Sequence, residues 1–239
     1  IELEEIVEKM SKARGNVVNP DDVIQEYGAD ALRLYEMFMG PLEQSKPWDQ
    51  RSVNGVYRFL TRIWRLLIGE DNEGFASVVT DAEATDAQRK QLHRCIKRVT
   101  EETEHLRYNT AIAAMMEYTN FLYKQDAVAK ELVEPLFILL SPFAPHIAEE
   151  LHARFGHKTS VALATWPAYD EALLREETIS IAVQVMGKVR ATIEIPTDAD
   201  EATAVSIARA TPEVEKHLEG KTIRKVIFVP GRILNFVAN

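Results

Sequence analysis

Apolar side chains recur at helical spacing for about a hundred residues from Arg51 onward. One side of the first predicted helix carries Val56, Phe59, Leu60, Ile63 and Leu67. Two further stripes comprise Leu92, Cys95, Ile96, Val99 and Leu106, and then Ile112, Met115, Thr119 and Leu122. The proline-interrupted segment 127–155 supplies a fourth helix and a fifth. Because such stripes are buried against one another, the pattern predicts a helical bundle.

Two shorter helices are predicted ahead of the bundle. Asn19 followed by Pro20 and two aspartates is typical of a helix start, and Gly28 is typical of its end. The next helix, "ADALRLYEMFMG", ends at Gly40-Pro41 and has an apolar face formed by Ala31, Leu34, Tyr35 and Phe38.

The pattern changes after Gly156. Residues 157–177 have no sustained period and are interpreted as a linker that packs Trp166 and Tyr169 against the rest of the chain. Apolar residues then alternate with polar ones over residues 179–195, which predicts a β-hairpin.

The hairpin is followed by further α and β signals. Helices are predicted at about residues 200–210 and 213–218, and two strands flank Pro230-Gly231. The predicted fold class is therefore a mainly α helical bundle followed by a small α+β C-terminal domain with a β-hairpin.

The register of the hairpin depends on its turn. A two-residue turn at Met186-Gly187 would place Val183 opposite Arg190 and mix apolar with charged residues on one face. A three-residue loop at 186–188, or a bulge, would align Val185 with Val189, and this alignment is predicted.

Composition narrows the class of protein. The 239 residues are 46% hydrophobic and 27% charged, as expected for a soluble globular chain. A single cysteine, Cys95, excludes an internal disulfide framework and favours a reducing compartment. We find no signal peptide and no uninterrupted apolar span, so a cytoplasmic location without membrane contact is expected. The start at Ile1, without methionine, suggests a processed or excised piece.

The net charge of −9 argues mildly against a nucleic-acid partner, but binding depends on local charge. Residues 178–239 carry 8 basic and 7 acidic side chains, so this last quarter is less acidic than the rest.

Residues 7–16, "VEKMSKARGN", form a basic loop that we call the lysine loop. Two lysines three residues apart, with a serine between them and a glycine after them, can surround a polyphosphate with ammonium groups and backbone N–H donors. Composition alone is more typical of a solvated basic loop than of a phosphate clamp, and the spacing is not that of a Walker loop.

The segment "EKMSKARGNVVNPDDVIQEYGADALRLYEMFMGPLEQSKPWD" resembles the region around and after the KMSKS signature of class I aminoacyl-tRNA synthetases. Its "MFMGPLEQSKPW" portion is similar to leucyl-tRNA synthetases. The stretches "YNTAIAAMMEYTNFL", "LLSPFAPHIAEEL", "VQVMGKVRATIEIP" and "VPGRILNFV" resemble the bacterial type of that family, so the resemblance extends over almost the whole chain.

The resemblance places the ATP-binding signature on Lys9, Met10, Ser11 and Lys12. It implies catalytic roles for Lys12 and Lys9, which would stabilise charge while the carboxylate of leucine attacks the α-phosphate of ATP. Ala13 departs from the family, which usually has serine there, and the loss of one hydrogen bond of about 0.5–1.5 kcal/mol predicts tuning rather than loss of activity.

Two basic surfaces are candidate tRNA-binding sites. Arg58, Arg62 and Arg65 share one side of a predicted helix and can follow a phosphate backbone, or they form an ordinary exposed face. In the tail the candidates are Lys188, Arg190, Lys221, Arg224 and Lys225. Met186 stands where the family often has asparagine, so the hairpin tip could differ in shape.

Other polar clusters have simpler interpretations. The basic group Arg89, Lys90, Arg94, Lys97 and Arg98 is interpreted as solvated, because glutamates follow it at once. His146 is interpreted as a helix-surface or capped core residue, and no metal site is predicted. Cys95 is interpreted as buried filler.

The resemblance divides the chain into a signature loop with connecting helices (1–50), a helical tRNA-binding bundle of the anticodon-binding-domain type (51–156), a linker (157–177) and a small α+β tRNA-binding domain (178–239). It implies the C-terminal part of a monomeric enzyme that attaches leucine to tRNA-Leu using ATP and Mg²⁺. A missing Rossmann half would bind leucine and ATP, since this sequence has no HIGH-like motif and no Gly-rich strand-to-helix turn, and no editing-type insertion is found.

We expect this piece alone to hold no ATP and to be inactive. A stand-alone RNA-binding module without catalysis is the alternative. A valyl or isoleucyl relative is a third possibility, for which the tail hairpin and "MFMGPLEQ" are the wrong features.

Overall fold

A computed structural model of the protein describes residues 7–69, 74–175 and 178–239. The chain forms two compact units that divide between Leu174 and Arg175. Each unit has its own hydrophobic core, and the two sets of buried residues do not overlap. No helix among the described residues is both long and apolar enough to cross a membrane.

Helices form most of the first unit. They are α1 (Pro20–Tyr27), α2 (Ala29–Phe38), α3 (Gln50–Leu67), α4 (Asp86–Glu104), α5 (Tyr108–Leu122), α6 (Lys130–Leu140), α7 (Pro145–Arg154) and α8 (Glu171–Leu174). Short 3-10 turns occupy Lys12–Arg14 and Val161–Leu163, and the two-residue strands β1 (Val79–Thr80) and β2 (Val128–Ala129) pair in parallel. The shared core of these helices confirms the predicted bundle.

The predicted signals for α1 and α3 are confirmed. The Asn19 side chain accepts a hydrogen bond from the Asp21 N–H, Pro20 is the first helical residue, and Gly28 follows the end of α1. All five residues of the apolar stripe predicted for α3 are buried, so this side of the helix faces the core.

The α4 stripe is confirmed except at its last position. Cys95 is buried on this stripe as predicted, and burial raises the pKa of its thiol to about 12. The assignment of Leu106 to the stripe was wrong, since the helix ends at Glu104 and Leu106 is 56% exposed with φ +58°. The Leu106 and Arg107 amides donate back to carbonyls of α4, and this turn closes the helix.

The segment after Gly156 packs against α4 before the first unit ends. The indole N–H of Trp166 donates to the Thr100 hydroxyl at 2.8 Å, and the Asp170 N–H donates to Nδ1 of His93 at 2.9 Å. Both Trp166 and Tyr169 contact the core, which confirms that the segment packs these two rings down.

The second unit is a four-stranded sheet with two helices. Its elements are β3 (Thr178–Val185), β4 (Lys188–Pro196), α9 (Glu201–Ala210), α10 (Pro212–Leu218), β5 (Ile223–Val229) and β6 (Ile233–Ala238). The strand order is β4-β3-β6-β5, with β3 and β6 parallel and the outer pairs antiparallel. These elements confirm the predicted small α+β domain.

The turn of the β3–β4 hairpin differs from the prediction. A two-residue turn at Met186 and Gly187, with φ +54° and +75°, places Val185 opposite Lys188. The predicted alignment of Val185 with Val189 was therefore wrong, and Val189 is 58% exposed.

A bulge explains how the apolar residues still reach one face. The register shifts between Val183, which lies opposite Ala191, and Gln184, which lies opposite Val189. The shift leaves Arg190 unpaired, so Ala191 and not Arg190 lies opposite Val183 despite the short turn.

A buried carboxylate joins α2 to α7. Asp30 is 8% exposed and accepts hydrogen bonds from the backbone N–H groups of His146 at 3.2 Å and Ile147 at 2.8 Å. Its Oδ1 also lies 2.7 Å from Nδ1 of His146, and the His146 side chain is 74% exposed, which confirms its interpretation as a helix-surface residue. No side chain within α7 caps its first turn, so Asp30 supplies the cap from another helix.

Substitution of Asp30 by alanine is expected to lower the free energy of unfolding of the first unit by about 1–3 kcal/mol. The change leaves two N–H groups at a helix start without their acceptor. Asp30→Asn should retain part of the stability, because the amide oxygen still accepts. Urea unfolding measures the effect, with Asp126→Ala at an exposed turn as the control. Equal stability of the two alanine variants would contradict the cap.

A stacked histidine pair lies at the other end of α7. His152 is 5% exposed, and its ring stacks on that of His157 with centroids 4.0 Å apart. Burial lowers the pKa of His152 below its ordinary 6.5, and the neighbouring His157 lowers it further, while Glu149 and Glu134 act in the opposite direction. The neutral imidazole is therefore the form that the folded unit favours.

The first unit is expected to lose stability as the pH falls below about 6.5. The unfolded chain binds a proton at His152 more readily than the folded chain, so acid favours unfolding until the folded pKa is passed. His152→Leu should flatten the dependence of melting temperature on pH between about pH 8 and pH 5.5. His105→Leu, at an exposed histidine, is the control, and identical profiles for the two variants would show that His152 is not responsible.

Candidate functional site

The lysine loop is held in a compact turn by its own hydrogen bonds. The Ser11 N–H donates to Oδ1 of Asn16 at 2.7 Å, and Nδ2 of Asn16 donates to the Lys9 carbonyl at 3.3 Å. The turn at Lys12–Arg14 ends at Gly15, whose φ of +66° a side chain would strain. The loop therefore reverses direction within a few residues and exposes the side chains between.

Two of the three basic groups on this loop carry charge that no described acid neutralises. Arg14 pairs with Glu8 at 2.7 Å. Lys9 and Lys12 are exposed, and neither forms an ion pair with a residue in the described ranges. Two ammonium groups three residues apart are thus available to an anion.

An apolar cavity of about 430 Å³ adjoins the lysine loop. Its lining residues are Met10, Val18, Pro20, Leu32, Glu36, Met39, Lys46 and Trp48. Trp48 also packs edge-on against buried Tyr35, with ring centroids 4.7 Å apart. Met10, predicted for the ATP-binding signature, thus contributes to the wall of this cavity.

The outer side of α3 is strongly basic. The helix contains four arginines and no acidic residue, and Arg58, Arg62 and Arg65 are all exposed opposite its buried stripe. The guanidinium of Arg62 lies 4.6 Å from the centre of the Tyr123 ring, and the Tyr123 hydroxyl donates to the Arg62 carbonyl. This basic side of α3, which we call the α3 arginine stripe, is positioned by the packing of the helix on the bundle.

The basic cluster on α4 differs from the stripe because acids from other helices partner it. Arg89 pairs with Glu131 at 3.2 Å, Lys97 with Glu171 at 2.8 Å, and Arg98 with Glu117 at 2.8 Å. Their charges are locally neutralised, so this face is the weaker candidate for binding an anion.

The basic residues predicted for the tail lie in separate places on its sheet. Lys188 and Arg190 belong to the edge strand β4, whereas Arg224 and Lys225 belong to β5 at the opposite edge. Three strand spacings separate these edges, or roughly 14 Å. The predicted single patch is therefore two groups of basic side chains.

Lys221 lies with Arg190, near His217 on α10. The Lys221 ammonium donates to the His217 carbonyl at 2.8 Å. Burial lowers the pKa of His217, and the charges of Arg190 and Lys221 lower it further. Among the described residues, Nε of Arg190 is a buried nitrogen without a hydrogen-bond partner.

Asn16 contributes to this region although the sequence pattern did not predict it. The Gly-Asn pair that ends the lysine loop was the available signal, because glycine permits the reversal and asparagine bonds to nearby backbone groups. The missed contact spans up to seven residues, so no pattern of helix or strand reveals it.

Two sequence families match the chain. Residues 88–206 match the anticodon-binding domain of tRNA ligases, and residues 3–48 match the class I tRNA synthetases (I, L, M and V). A similar solved structure is the ternary complex of the agnB2 LeuRS of Agrobacterium radiobacter with tRNA and LeuAMS. It is 34% identical to this chain with a TM-score of 0.73, and the match covers 97% of this chain and 31% of that one. The chain thus spans about a third of the length of that protein.

Proposed function

Because this chain belongs to the class I aminoacyl-tRNA synthetases, we propose that it forms part of a leucine–tRNA ligase, supplying the KMSKS-type loop and the tRNA-binding surfaces. The observation that carries the proposal is the lysine loop, with two exposed ammonium groups that no described acid pairs. The likeness to a LeuRS over 97% of the chain supports leucine as the amino acid.

The proposed reaction begins with attack of the leucine carboxylate on the α-phosphate of ATP, with pyrophosphate as the leaving group. Negative charge grows on the phosphoryl oxygens at the transition state, and ammonium groups placed beside them bind it more tightly than the ground state. We assign this role to Lys12, assisted by Lys9, while Met10 and Ser11 complete the loop. Mg²⁺ would accompany ATP in the complete enzyme.

Transfer of leucine to tRNA-Leu requires the nucleic acid to be held, and we assign this to the basic surfaces. The α3 arginine stripe presents guanidinium groups without acidic neighbours on its own helix, as a phosphate backbone requires. In the tail, Lys188 with Arg190 and Lys221, and separately Arg224 with Lys225, offer further phosphate contacts.

Lys12→Ala in the full-length enzyme is expected to lower kcat for leucine-dependent ATP–pyrophosphate exchange by roughly 100-fold. KM for leucine should change little, because the ammonium acts on the phosphoryl group. Lys158→Ala, at another exposed lysine, is the control. An unchanged kcat in Lys12→Ala would remove the loop from the mechanism. The 239-residue chain assayed alone should give no exchange.

Replacing Arg58 and Arg65 together by alanine is expected to weaken tRNA binding and to reduce its salt dependence. The slope of log K against log salt concentration should fall by about one for each lost phosphate contact. Filter binding to the 239-residue chain at several salt concentrations measures this. Arg98→Ala removes an arginine that pairs with Glu117 and should leave the slope unchanged. The stripe is excluded if the double variant keeps the wild-type slope.

A further inference from the structure

We propose that Asn16 is a positioning residue that holds the lysine loop in the shape in which Lys9 and Lys12 can act together. The role in catalysis rests on the proposed function, whereas the structural role does not.

The Asn16 side chain joins both halves of the loop. Its Oδ1 accepts from the Ser11 N–H at 2.7 Å, next to Lys12, and its Nδ2 donates to the carbonyl of Lys9 itself at 3.3 Å. One amide therefore ties the backbone at Lys9 to the backbone at Ser11, directly before Lys12, and it acts on the ammonium groups only through that backbone.

Few side chains other than asparagine can make both of these hydrogen bonds. The site needs one acceptor and one donor on a short side chain, which asparagine supplies. Aspartate would keep the acceptor but lose the donor, and its charge would attract the two lysines away from an anion. Gly15 completes the arrangement, because its φ of +66° turns the chain so that Asn16 faces back across the loop.

The remaining supports of the loop are weak. No residue of the turn Lys12–Arg14 is buried. The Glu8–Arg14 ion pair is about half exposed at both partners, and such pairs contribute little. The order of the loop thus depends mainly on backbone bonds at its turn and on Asn16, and loss of the side chain would leave the lysines to be ordered when an anion binds.

Trypsin cleavage of the 239-residue chain tests the structural role, since Lys9 and Lys12 are cleavage sites within the loop. Asn16→Ala is expected to raise the cleavage rate there by about 2- to 10-fold, because the loop opens more often. The melting temperature should not change, as the turn contributes no buried residue. The control is Val17→Ala, since this neighbouring valine is 45% exposed. Equal cleavage rates in the two variants would overturn the proposal.

Pyrophosphate exchange by the full-length enzyme tests the catalytic consequence. Asn16→Ala should raise KM for ATP and lower kcat, so that kcat/KM for ATP falls by roughly 10-fold. KM for leucine and the affinity for tRNA should stay at the wild-type values. Wild-type exchange parameters in Asn16→Ala would show that the bonds do not position the lysines. A wild-type enzyme without exchange would instead refute the proposed function, and the trypsin result would still decide the structural role.

Discussion

The carboxylate of Asp30 imposes the main constraint on the first unit, because its buried charge must be met by hydrogen-bond donors. It finds them at the start of α7, 116 positions away along the chain. Since α1 and α2 directly follow the lysine loop, the same contact ties the segment that carries the loop to the bundle that carries the α3 arginine stripe. Local capping chemistry thereby sets the relation between two candidate sites within one unit.

Pairing of charges, rather than their total, distinguishes the basic surfaces. The chain is acidic overall, yet α3 has four arginines and no acid, and the lysine loop keeps two lysines that no described acid neutralises. On α4 the basic groups are as numerous, but acids on three other helices approach them. Phosphate recognition therefore favours the first two surfaces.

The helices and strands could be predicted where the apolar period is strong. The errors occurred where a side-chain hydrogen bond or a positive φ angle determines the local structure. The apolar stripe of α3 follows from residue spacing alone. Leu106 also fits the apolar period of α4, but the helix has ended before it and its backbone has a positive φ. The hairpin turn was misjudged because a non-glycine residue, Met186, adopts positive φ and a bulge repairs the register. Asp30 gave no signal, since its partners lie on a distant segment.

The two hydrophobic cores share no buried residue, and this separation affects how the gene can vary. A substitution that loosens packing in one core removes contacts from the residues of that core. Its effect on the free energy of unfolding should therefore add to the effect of a substitution in the other core. A recombination breakpoint between Leu174 and Arg175 would therefore leave each set of core residues whole on one side of the junction. Residues 175–239 therefore form a segment whose core residues would be inherited together.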